Sequence, residues 1–219
     1  IVKYWKARGY NEIQVLDDNF AFDPKRLKRM VELYEKENIT GMKLILVGGV
    51  RISSSSKENL LFLKKLGVDY IAFGIESFSD PVLKFIKKGT TEKNIEETII
   101  NAIALDFKIR LFFIIGFPYQ TIESLRKTYK FILKYPIYQV RFFNLIPYEN
   151  TILMDWLNEN GDFIYPSNMF MNQFKRFQDI PVFTAKHALT PEERVNELKV
   201  ARNFEKLVSE RAKYLFDEL

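Results

Sequence analysis

The sequence of 219 residues contains no cysteine, a single histidine and only two tryptophans. Without a thiol the chain can form no disulfide and cannot by itself supply thiolates to an iron–sulfur cluster. One histidine also makes a histidine-based nucleophilic triad or a paired-histidine metal site hard to build. His187 follows Lys186 directly, and we expect it to be a loop residue rather than a ligand or a base.

Long hydrophobic runs are also missing. The longest apolar runs have the length of a strand, such as IRLFFIIG around Phe112, and none is long enough to span a bilayer. Lys3, Lys6 and Arg8 interrupt the first segment, so no signal-peptide pattern opens the chain. Together with the absence of cysteine, this favours a cytoplasmic protein without a membrane partner.

No block of one charge is present either. The formal net charge is +5, from 33 basic and 28 acidic residues that are spread along the chain. An even spread is more typical of a solvated basic surface than of a nucleic-acid interface, where basic residues cluster on one face. Nucleic acid is therefore not the favoured partner.

Five short runs rich in β-branched and aromatic residues recur along the chain, separated by stretches with helical spacing. They are Glu12–Asp18, Met42–Gly49, Asp69–Glu76, Lys108–Gly116 and Tyr138–Pro147. Their starts lie roughly 25 to 40 residues apart, which is the length of a strand, a helix and two loops. The alternation predicts an α/β protein with a parallel sheet covered by helices. A closed or partly closed barrel and an open doubly wound sheet both fit this pattern.

Several helix-start signals lie between these runs. Asp23 and Asp80 each precede a proline, which predicts an N-cap followed by the first helical residue. Thr121 is placed to cap the next helix. Thr190 and Glu193 form a T-x-x-E capping box that predicts a terminal helix extending to about Leu215.

The pattern changes after the fifth run. A short helix is predicted over Ile152–Asn158, and an irregular stretch rich in aromatic residues follows. We therefore expect a barrel-like part over residues 1–157 and a C-terminal part over residues 158–219. The side chains between Phe163 and Phe177 could cover a substrate cavity, but packing beneath the terminal helix explains them without a function and is favoured.

Polar or glycine-rich residues follow each predicted strand. They are Asp17 and Asp18, Gly48–Arg51, Gly74–Ser77, Gly116–Pro118 and Asn144–Pro147. Ligands of parallel α/β proteins bind at the carboxyl ends of the strands, because the loops and helix N-termini there surround them. Each of these ends alone could be a loop signal, but together they predict a ligand site and favour the barrel.

The third predicted strand is the most informative. Its alternation places Ala72, Gly74 and Glu76 on one face, so that two small residues leave space beside a carboxylate. A carboxylate in such a place suits paired hydroxyl groups, for instance those of a ribose, because it accepts from both. An ion pair from Glu76 to Lys88 or Arg51 is the alternative.

These residues resemble a known family. The runs VLDDNFAFDPKR, GIESFSDPVLKFIKKGTT, IIGFPYQT and LIPYENT, with Arg51 after the second strand, are similar to radical S-adenosylmethionine (SAM) enzymes. The similarity is greatest to the branch that often carries a cobalamin-binding domain before the barrel, and it covers roughly residues 1–157. It implies a partial, six-stranded (β/α) barrel, with a C-terminal helical extension here, that binds SAM and a [4Fe–4S] cluster.

The resemblance also implies roles for individual residues. The strand end at Asp17 and Asp18 corresponds to the segment that meets the amino group of SAM, partly through its main chain. Arg51 corresponds to a position near the nucleoside or the substrate. No catalytic residue is implied by the matching motifs.

Four further positions correspond to SAM contacts. Glu76 matches the residue beside the ribose, and Lys88 matches the basic residue that approaches the SAM carboxylate. Gly116 and Pro118 match a segment whose backbone passes close to adenine. The implied activity is that of an oxidoreductase or a methyltransferase, which cleaves SAM to a 5′-deoxyadenosyl radical with an electron from a donor such as ferredoxin or flavodoxin.

The chain departs from this family at three places. The CxxxCxxC motif that holds the cluster is absent, and the helical pattern of residues 1–9 matches the helix that follows this motif. We therefore expect a truncated N-terminal strand and cluster loop, and an inactive chain. In addition, Tyr119-Gln120 replaces the usual Gly-Glu, and Glu149-Asn150 replaces a common Pro-Gly.

Three other functions stay open. The first is a non-catalytic barrel that binds a nucleoside or a partner and has lost its cluster. The second is an ordinary (β/α) barrel lyase or phosphate-sugar enzyme, which needs more strand–helix units than the chain supplies after Pro147. The third is an RNA-modifying enzyme or RNA binder, against which the even charge distribution argues.

Overall fold

The computed structural model describes residues 1–17 and 19–216. All five predicted strands form within their predicted ranges. They are β1 (Glu12–Val15), β2 (Lys43–Leu46), β3 (Tyr70–Glu76), β4 (Lys108–Ile115) and β5 (Gln139–Asn144). Two short strands that the sequence did not predict follow them, β6 (Gly161–Phe163) and β7 (Phe183–Ala185).

Helices alternate with the first five strands, as the βα pattern predicts. They are α1 (Val2–Lys6), α2 (Pro24–Lys36), α3 (Lys57–Lys65), α4 (Asp80–Phe85), α5 (Glu92–Ala104), α6 (Ile122–Lys134), α7 (Ile152–Asn160), α8 (Ser167–Asn172) and α9 (Pro191–Phe216). Among the helices of residues 1–17 and 19–216, none has the length and apolar character needed to cross a membrane.

Three of the four predicted helix caps are confirmed. The Asp23 carboxylate accepts hydrogen bonds from two backbone N–H groups of α2, and Thr121 forms a reciprocal capping box with Ser124. Thr190 and Glu193 cap each other at the start of α9. The prediction for Asp80 is wrong, because the N-cap of α4 is Ser79 and Asp80 already lies in the first turn. A carboxylate in the first turn is still favoured, because the N-terminus of a helix carries a partial positive charge.

The strand pairing has the parallel character expected of βα units. β1 and β2 pair in parallel, with Ile13 opposite Leu44. A parallel bridge joins Val50, just after β2, to Phe73 of β3. β3, β4 and β5 form a three-stranded sheet in that order, whereas β6 and β7 pair in antiparallel fashion.

The chain divides into two compact units. The first unit comprises residues 1–75, 90–111 and 136–138, and the second comprises residues 76–89, 112–135 and 139–219. The division expected at residue 157 stays a prediction.

The core of the first unit consists mainly of aliphatic side chains from its helices and strands. Leu27 of α2, Leu60 and Leu63 of α3, and Ile95 and Ile99 of α5 are all fully buried. These positions recur every three or four residues along their helices, so each helix buries one apolar stripe. Burying one such side chain stabilises the fold by about 2 to 3 kcal/mol.

The core of the second unit is richer in aromatic residues. Phe170 and Phe177 have no exposed surface, and they pack in one cluster with Leu157, Val182 and Phe183. The aromatic stretch that follows α7 is thus mainly part of the core. The structure supports the interpretation of this stretch as core packing rather than as the cover of a substrate cavity.

Buried acids hold α9 in the second unit. Glu205 accepts a hydrogen bond of 2.6 Å from the backbone N–H of Phe142 and also bonds Arg202 and Arg141. Glu197 forms a two-pronged ion pair with Arg126 of α6, with N···O distances of 2.7 and 2.9 Å. Because Glu197 is nearly buried, removing Arg126 would leave its charge unpaired in the protein interior, whereas Glu205 keeps one arginine if the other is removed.

Candidate functional site

The predicted alternation along β3 is confirmed at most positions. Ile71, Phe73 and Ile75 have no exposed surface, whereas Gly74 and Glu76 are half-buried. The exception is Ala72, which is 4% exposed because the chain after β2 covers it, with the Val50 N–H donating to its carbonyl at 2.8 Å. The end of β3, rather than its whole face, is therefore open to a ligand.

Glu76 at this end forms an ion pair with Lys88. The Lys88 Nζ lies 3.0 Å from Glu76 Oε1, and both side chains are 23% exposed. The ion pair that the sequence offered as an alternative thus exists with Lys88. It does not exclude a ligand, because a partly exposed pair contributes only about 0 to 1 kcal/mol and no described hydrogen bond uses Glu76 Oε2. A ligand with hydroxyl donors can therefore share or replace this contact.

The backbone at Glu76 is also unusual. Its φ angle is +67°, a left-handed conformation that costs a non-glycine residue about 1 to 2 kcal/mol. The orientation of the carboxylate is consequently set by this left-handed turn rather than by simple strand alternation. Nothing in the local sequence signals such a turn, so pattern analysis could not have found it.

The end of β4 leads into a tight turn over Gly116–Gln120. The Gln120 N–H donates to the carbonyl of Phe117 at 3.2 Å, and Tyr119 has a φ angle of +65°. Pro118 followed by a positive φ angle is typical of a type II turn, in which glycine usually takes the position of Tyr119. This replacement is one of the departures noted in the sequence.

Gln120 closes this turn from inside. Its Oε1 accepts a hydrogen bond of 2.7 Å from the N–H of Gly116, and its Nε2 donates to the carbonyl of Ile114 at 3.0 Å. The side chain is 3% exposed, so both bonds satisfy backbone groups that water does not reach. The amide, which can donate and accept at once, therefore fixes the backbone on both sides of Ile115.

Arg194 of α9 packs against the other side of Gly116. Its Nη2 donates to the Gly116 carbonyl at 3.1 Å, and its guanidinium carbon lies 4.2 Å from the centre of the Phe183 ring. A Cβ atom at residue 116 would lie only 2.5 to 2.7 Å from the guanidinium group. The guanidinium group thus fills the space that a side chain at residue 116 would take, and the φ angle of +116° also favours glycine. The proximity of this segment to adenine stays a prediction.

The charge of Arg194 is not compensated by an acid among its described contacts. The side chain has no exposed surface, and its Nε and Nη1 have no hydrogen-bond partner within residues 1–17 and 19–216. Burial lowers the pKa of Arg194 to about 9, because the protein interior disfavours the charged form. A buried cation with two unused donors costs stability, which makes it a candidate for a functional rather than a structural residue.

His187 contacts the same turn. Its carbonyl accepts a hydrogen bond of 2.6 Å from the N–H of Tyr119, and the two side-chain rings stack with centroids 5.4 Å apart. His187 lies in a turn, as predicted, and has a φ angle of +57°. Two residues in strained backbone conformations therefore hold each other in place.

The first unit carries the remaining predicted site residues. Asp17 is paired at 3.4 Å with Arg26 and is 41% exposed, and its carboxylate also accepts from the N–H of Asn19. Arg51 is exposed, and its carbonyl accepts from the Ser55 hydroxyl at 2.8 Å. Asp18 lies outside the described residues. The ligand roles of these three residues stay predictions.

A separate apolar cavity of about 200 Å³ lies in the second unit between α4 and α7. Its lining includes Phe117 from the turn, Phe85 and Trp156, and Lys87 is its charged member. Such a lining suits an apolar group rather than a ribose, so this cavity is distinct from the pair at Glu76.

The residues present do not fit an iron–sulfur cluster. The sequence has no cysteine, and among residues 1–17 and 19–216 no three histidine, aspartate or glutamate side chains are grouped to hold a metal ion. Iron–sulfur clusters are held by thiolates. The described residues of this chain therefore supply no ligand set for the cluster.

The fold is an α/β fold of the radical SAM type, as two solved structures show. Coproporphyrinogen III oxidase from Escherichia coli, described as a radical SAM enzyme, matches with a TM-score of 0.60 and 16% identity over 90% of this chain and 40% of that one. The radical SAM methyltransferase TsrM from Kitasatospora setae, solved with cobalamin and a [4Fe–4S] cluster, matches with a TM-score of 0.55 and 15% identity over 65% of this chain and 29% of that one.

The family model of the Radical SAM superfamily matches residues 1–132. The chain belongs to the Radical SAM superfamily, whose members use SAM and a [4Fe–4S] cluster, and the predicted partial-barrel fold class is confirmed.

Curated relatives are also similar to the chain. An uncharacterized methyltransferase of Pyrococcus horikoshii is 29% identical over 179 residues, which are 82% of this chain and 37% of that protein. A bacteriochlorophyllide d methyltransferase of Chlorobaculum tepidum is 28% identical over 144 residues, 62% of this chain and 29% of that protein. The chain thus spans about a third of the length of these relatives.

Proposed function

We propose that this chain is the SAM-binding core of a radical SAM enzyme of the methyltransferase group. The observation that carries the proposal is the half-buried Glu76 carboxylate at the end of β3, with one oxygen on Lys88. Glu76 accepts hydrogen bonds from the ribose hydroxyls of SAM, and Lys88 then pairs with the carboxylate of SAM. One ion pair within the protein is thus exchanged for two contacts to the ligand.

The reaction itself belongs to a protein that also supplies cluster ligands. The cluster would provide the electron for SAM cleavage, and no residue of this chain can hold it. This chain alone is therefore inactive. The names of the two relatives favour transfer of a methyl group over other outcomes, and an electron donor such as ferredoxin or flavodoxin is the expected partner.

Cobalamin is a second proposed cofactor of the whole protein. Support comes from the fold likeness to TsrM, which binds cobalamin, and to the cobalamin-dependent radical SAM enzyme OxsB, with a TM-score of 0.50 and 20% identity. No described residue of this chain is assigned to cobalamin, so its site would lie elsewhere.

The alternative is a non-catalytic barrel that binds a nucleoside and has no cluster. The absence of cysteine favours it. Under this alternative Glu76 binds a nucleoside in the same way, but no segment that holds a cluster accompanies the chain. A cysteine-bearing segment in the same gene or in a co-purified partner supports the enzyme, whereas its absence supports the binding protein.

Binding of S-adenosylhomocysteine, measured by equilibrium dialysis, tests the site. We expect one ligand per chain, and we expect Glu76→Gln to weaken binding about tenfold, since one charge-assisted hydrogen bond is worth about 1.5 to 3 kcal/mol. Glu123→Gln, which changes an exposed acid in α6, is the matched control and should bind like the wild type. Absence of binding by the wild-type chain contradicts the proposal.

Iron content tests the prediction that this chain alone holds no cluster and is inactive. After anaerobic reconstitution with iron and sulfide, we expect no stoichiometric iron and no 5′-deoxyadenosine from SAM. A fully loaded cluster on this chain would overturn the explanation of its inactivity.

A further inference from the structure

We propose that Arg194, assisted by His187 and Gln120, is a positioning residue that fixes the Gly116–Gln120 turn for adenine recognition. This inference rests on the proposed function and on the resemblance that places Gly116 and Pro118 close to the adenine of SAM. It extends that function by giving the C-terminal segment around α9 a role in ligand selectivity.

The turn is held from both sides. The N–H of Gly116 donates to Gln120 and its carbonyl accepts from Arg194, at 2.7 and 3.1 Å. Both side chains are almost completely buried. One residue thus has its donor and its acceptor engaged by side chains, and the orientation of its backbone is fixed before any ligand arrives.

The residues that hold the turn come from a distant part of the sequence. His187 accepts from the N–H of Tyr119, and Arg194 reaches Gly116 across 78 residues of chain. The segment between His187 and Arg194 therefore contacts the turn at two points. A stable turn does not need two such anchors, because its own bond between Gln120 and Phe117 already closes it.

These contacts are also costly. Arg194 is buried with two unused donors and no acid among its described contacts. Tyr119 and His187 both hold a left-handed backbone conformation, which is unfavourable for residues other than glycine. Costs of this kind, gathered at one turn, are typical of a site that is organised for a ligand rather than for stability.

A backbone turn recognises adenine by hydrogen bonds to the 6-amino group and the ring nitrogens, so a small rotation of the peptide changes selectivity. Hypoxanthine carries an oxygen where adenine carries that amino group, and inosine is therefore the informative probe. A loss of folded protein lowers the affinities for adenosine and inosine equally, but a misplaced turn changes their ratio.

The experiment measures adenosine and inosine affinities of the chain by isothermal titration calorimetry. We expect the wild type to prefer adenosine at least about tenfold and Arg194→Met to prefer it only about twofold, a change typical of one lost or misaligned hydrogen bond. The melting temperature of Arg194→Met should be equal or higher, because an uncompensated buried charge is removed.

Arg211→Met is the matched control. Arg211 also lies on α9 and donates to a backbone carbonyl, that of Leu133 at 3.0 Å, but none of its described hydrogen bonds reaches the turn. Its adenosine preference should equal that of the wild type. Should Arg194→Met not fold, His187→Gly provides the test, since glycine keeps the backbone conformation and removes the ring that stacks on Tyr119. We expect a partial loss of preference, about threefold.

Each outcome is decisive. A wild-type chain that binds neither nucleoside overturns the proposed function, and this inference falls with it. A wild-type chain that prefers adenosine, with Arg194→Met and His187→Gly variants that prefer it equally, overturns this inference alone. Selective loss of the preference in these variants, with Arg211→Met unchanged, supports it.

Discussion

The ends of β3 and β4 in the second unit are built in opposite ways. At the end of β3, Glu76 and Lys88 form a single ion pair with both side chains 23% exposed. At the end of β4, the Gly116 backbone is buried and engaged by Gln120 and Arg194 at once. The first contact is partly open to solvent, whereas the second is closed off from it.

This difference separates two forms of recognition. A partly exposed carboxylate offers a side chain that adapts to hydroxyl groups, at little cost to the fold. A buried, doubly held turn offers a rigid backbone, whose selectivity depends on neighbours that need not touch the ligand. Changes to Gly116 or Gln120 should therefore cost stability, whereas changes at the end of β3 should cost affinity.

The largest expected effect is that of Gly116→Ala. The new Cβ would lie 2.5 Å from the Arg194 Nε at a φ angle of +116°, so we expect a loss of about 3 kcal/mol in the free energy of unfolding. Urea denaturation measures it.

Gly89→Ala is the control for a glycine of positive φ angle that no side chain crowds. Gly89 has a φ angle of +71°, and no atom lies within 4 Å of the place that an added methyl group would take, so its loss should be about 1 kcal/mol. Equal losses at the two glycines would show that Arg194 does not confine Gly116.

Gln120→Met should have the next largest effect. The variant keeps the approximate length of the side chain but leaves the Gly116 N–H and the Ile114 carbonyl without the Gln120 amide. We expect a loss of about 2 kcal/mol by urea denaturation. Gln178→Met, at an exposed position, should change stability by less than about 0.5 kcal/mol. Equal losses of stability in the two variants would show that the Gln120 amide does not hold the turn.

The stability of the wild type relative to Arg194→Met should depend on pH. Burial lowers the pKa of Arg194 to about 9 in the folded protein, from an ordinary value of 12.5 in the unfolded chain. Above about pH 9 the unfolded chain therefore binds more protons, and folding stability rises with pH. Between about pH 8 and pH 10 we expect the wild type to gain about 1 kcal/mol over the variant in urea denaturation. A constant difference would contradict the buried, uncompensated charge.

Lys88→Met should have the smallest effect on stability. The partly exposed pair with Glu76 contributes less than about 1 kcal/mol, so the urea midpoint should hardly change. The ratio of S-adenosylhomocysteine to adenosine affinity should nevertheless fall about fivefold, because only the former carries the carboxylate that Lys88 would meet. The neighbouring Lys87, changed to Met, should leave this ratio unchanged. A large loss of stability in Lys88→Met would show that the pair with Glu76 serves mainly to stabilise the fold.

Much of the fold could be predicted because its signals are local. The capping box of Thr121 needs only Ser124, three residues away, and the same holds for Thr190 and Glu193. The hydrophobic patterns of the first five strands are likewise contained in a few residues each. β6 and β7 were missed because three residues are too few to show an alternation.

The candidate site was less predictable, for a physical reason. The proximity of Glu76 and Lys88 was foreseen as an alternative, but the left-handed backbone at Glu76 has no signature in the sequence. Arg194 was not found at all, because its partner Gly116 lies 78 residues away and a single arginine in a helical pattern resembles any solvated charge. Only the packing of α9 in the second unit reveals that this arginine is buried.

The most direct test asks whether Glu76 takes the ribose hydroxyls. The measurement is a thermodynamic cycle that combines one substitution with one change of ligand. It compares the binding of adenosine and of 2′,3′-dideoxyadenosine to the wild type and to Glu76→Gln. We expect removal of the two hydroxyls to weaken binding to the wild type about tenfold and to the variant about twofold or less. Equal losses in both proteins would contradict the assignment of Glu76, and with it the nucleoside site at the end of β3.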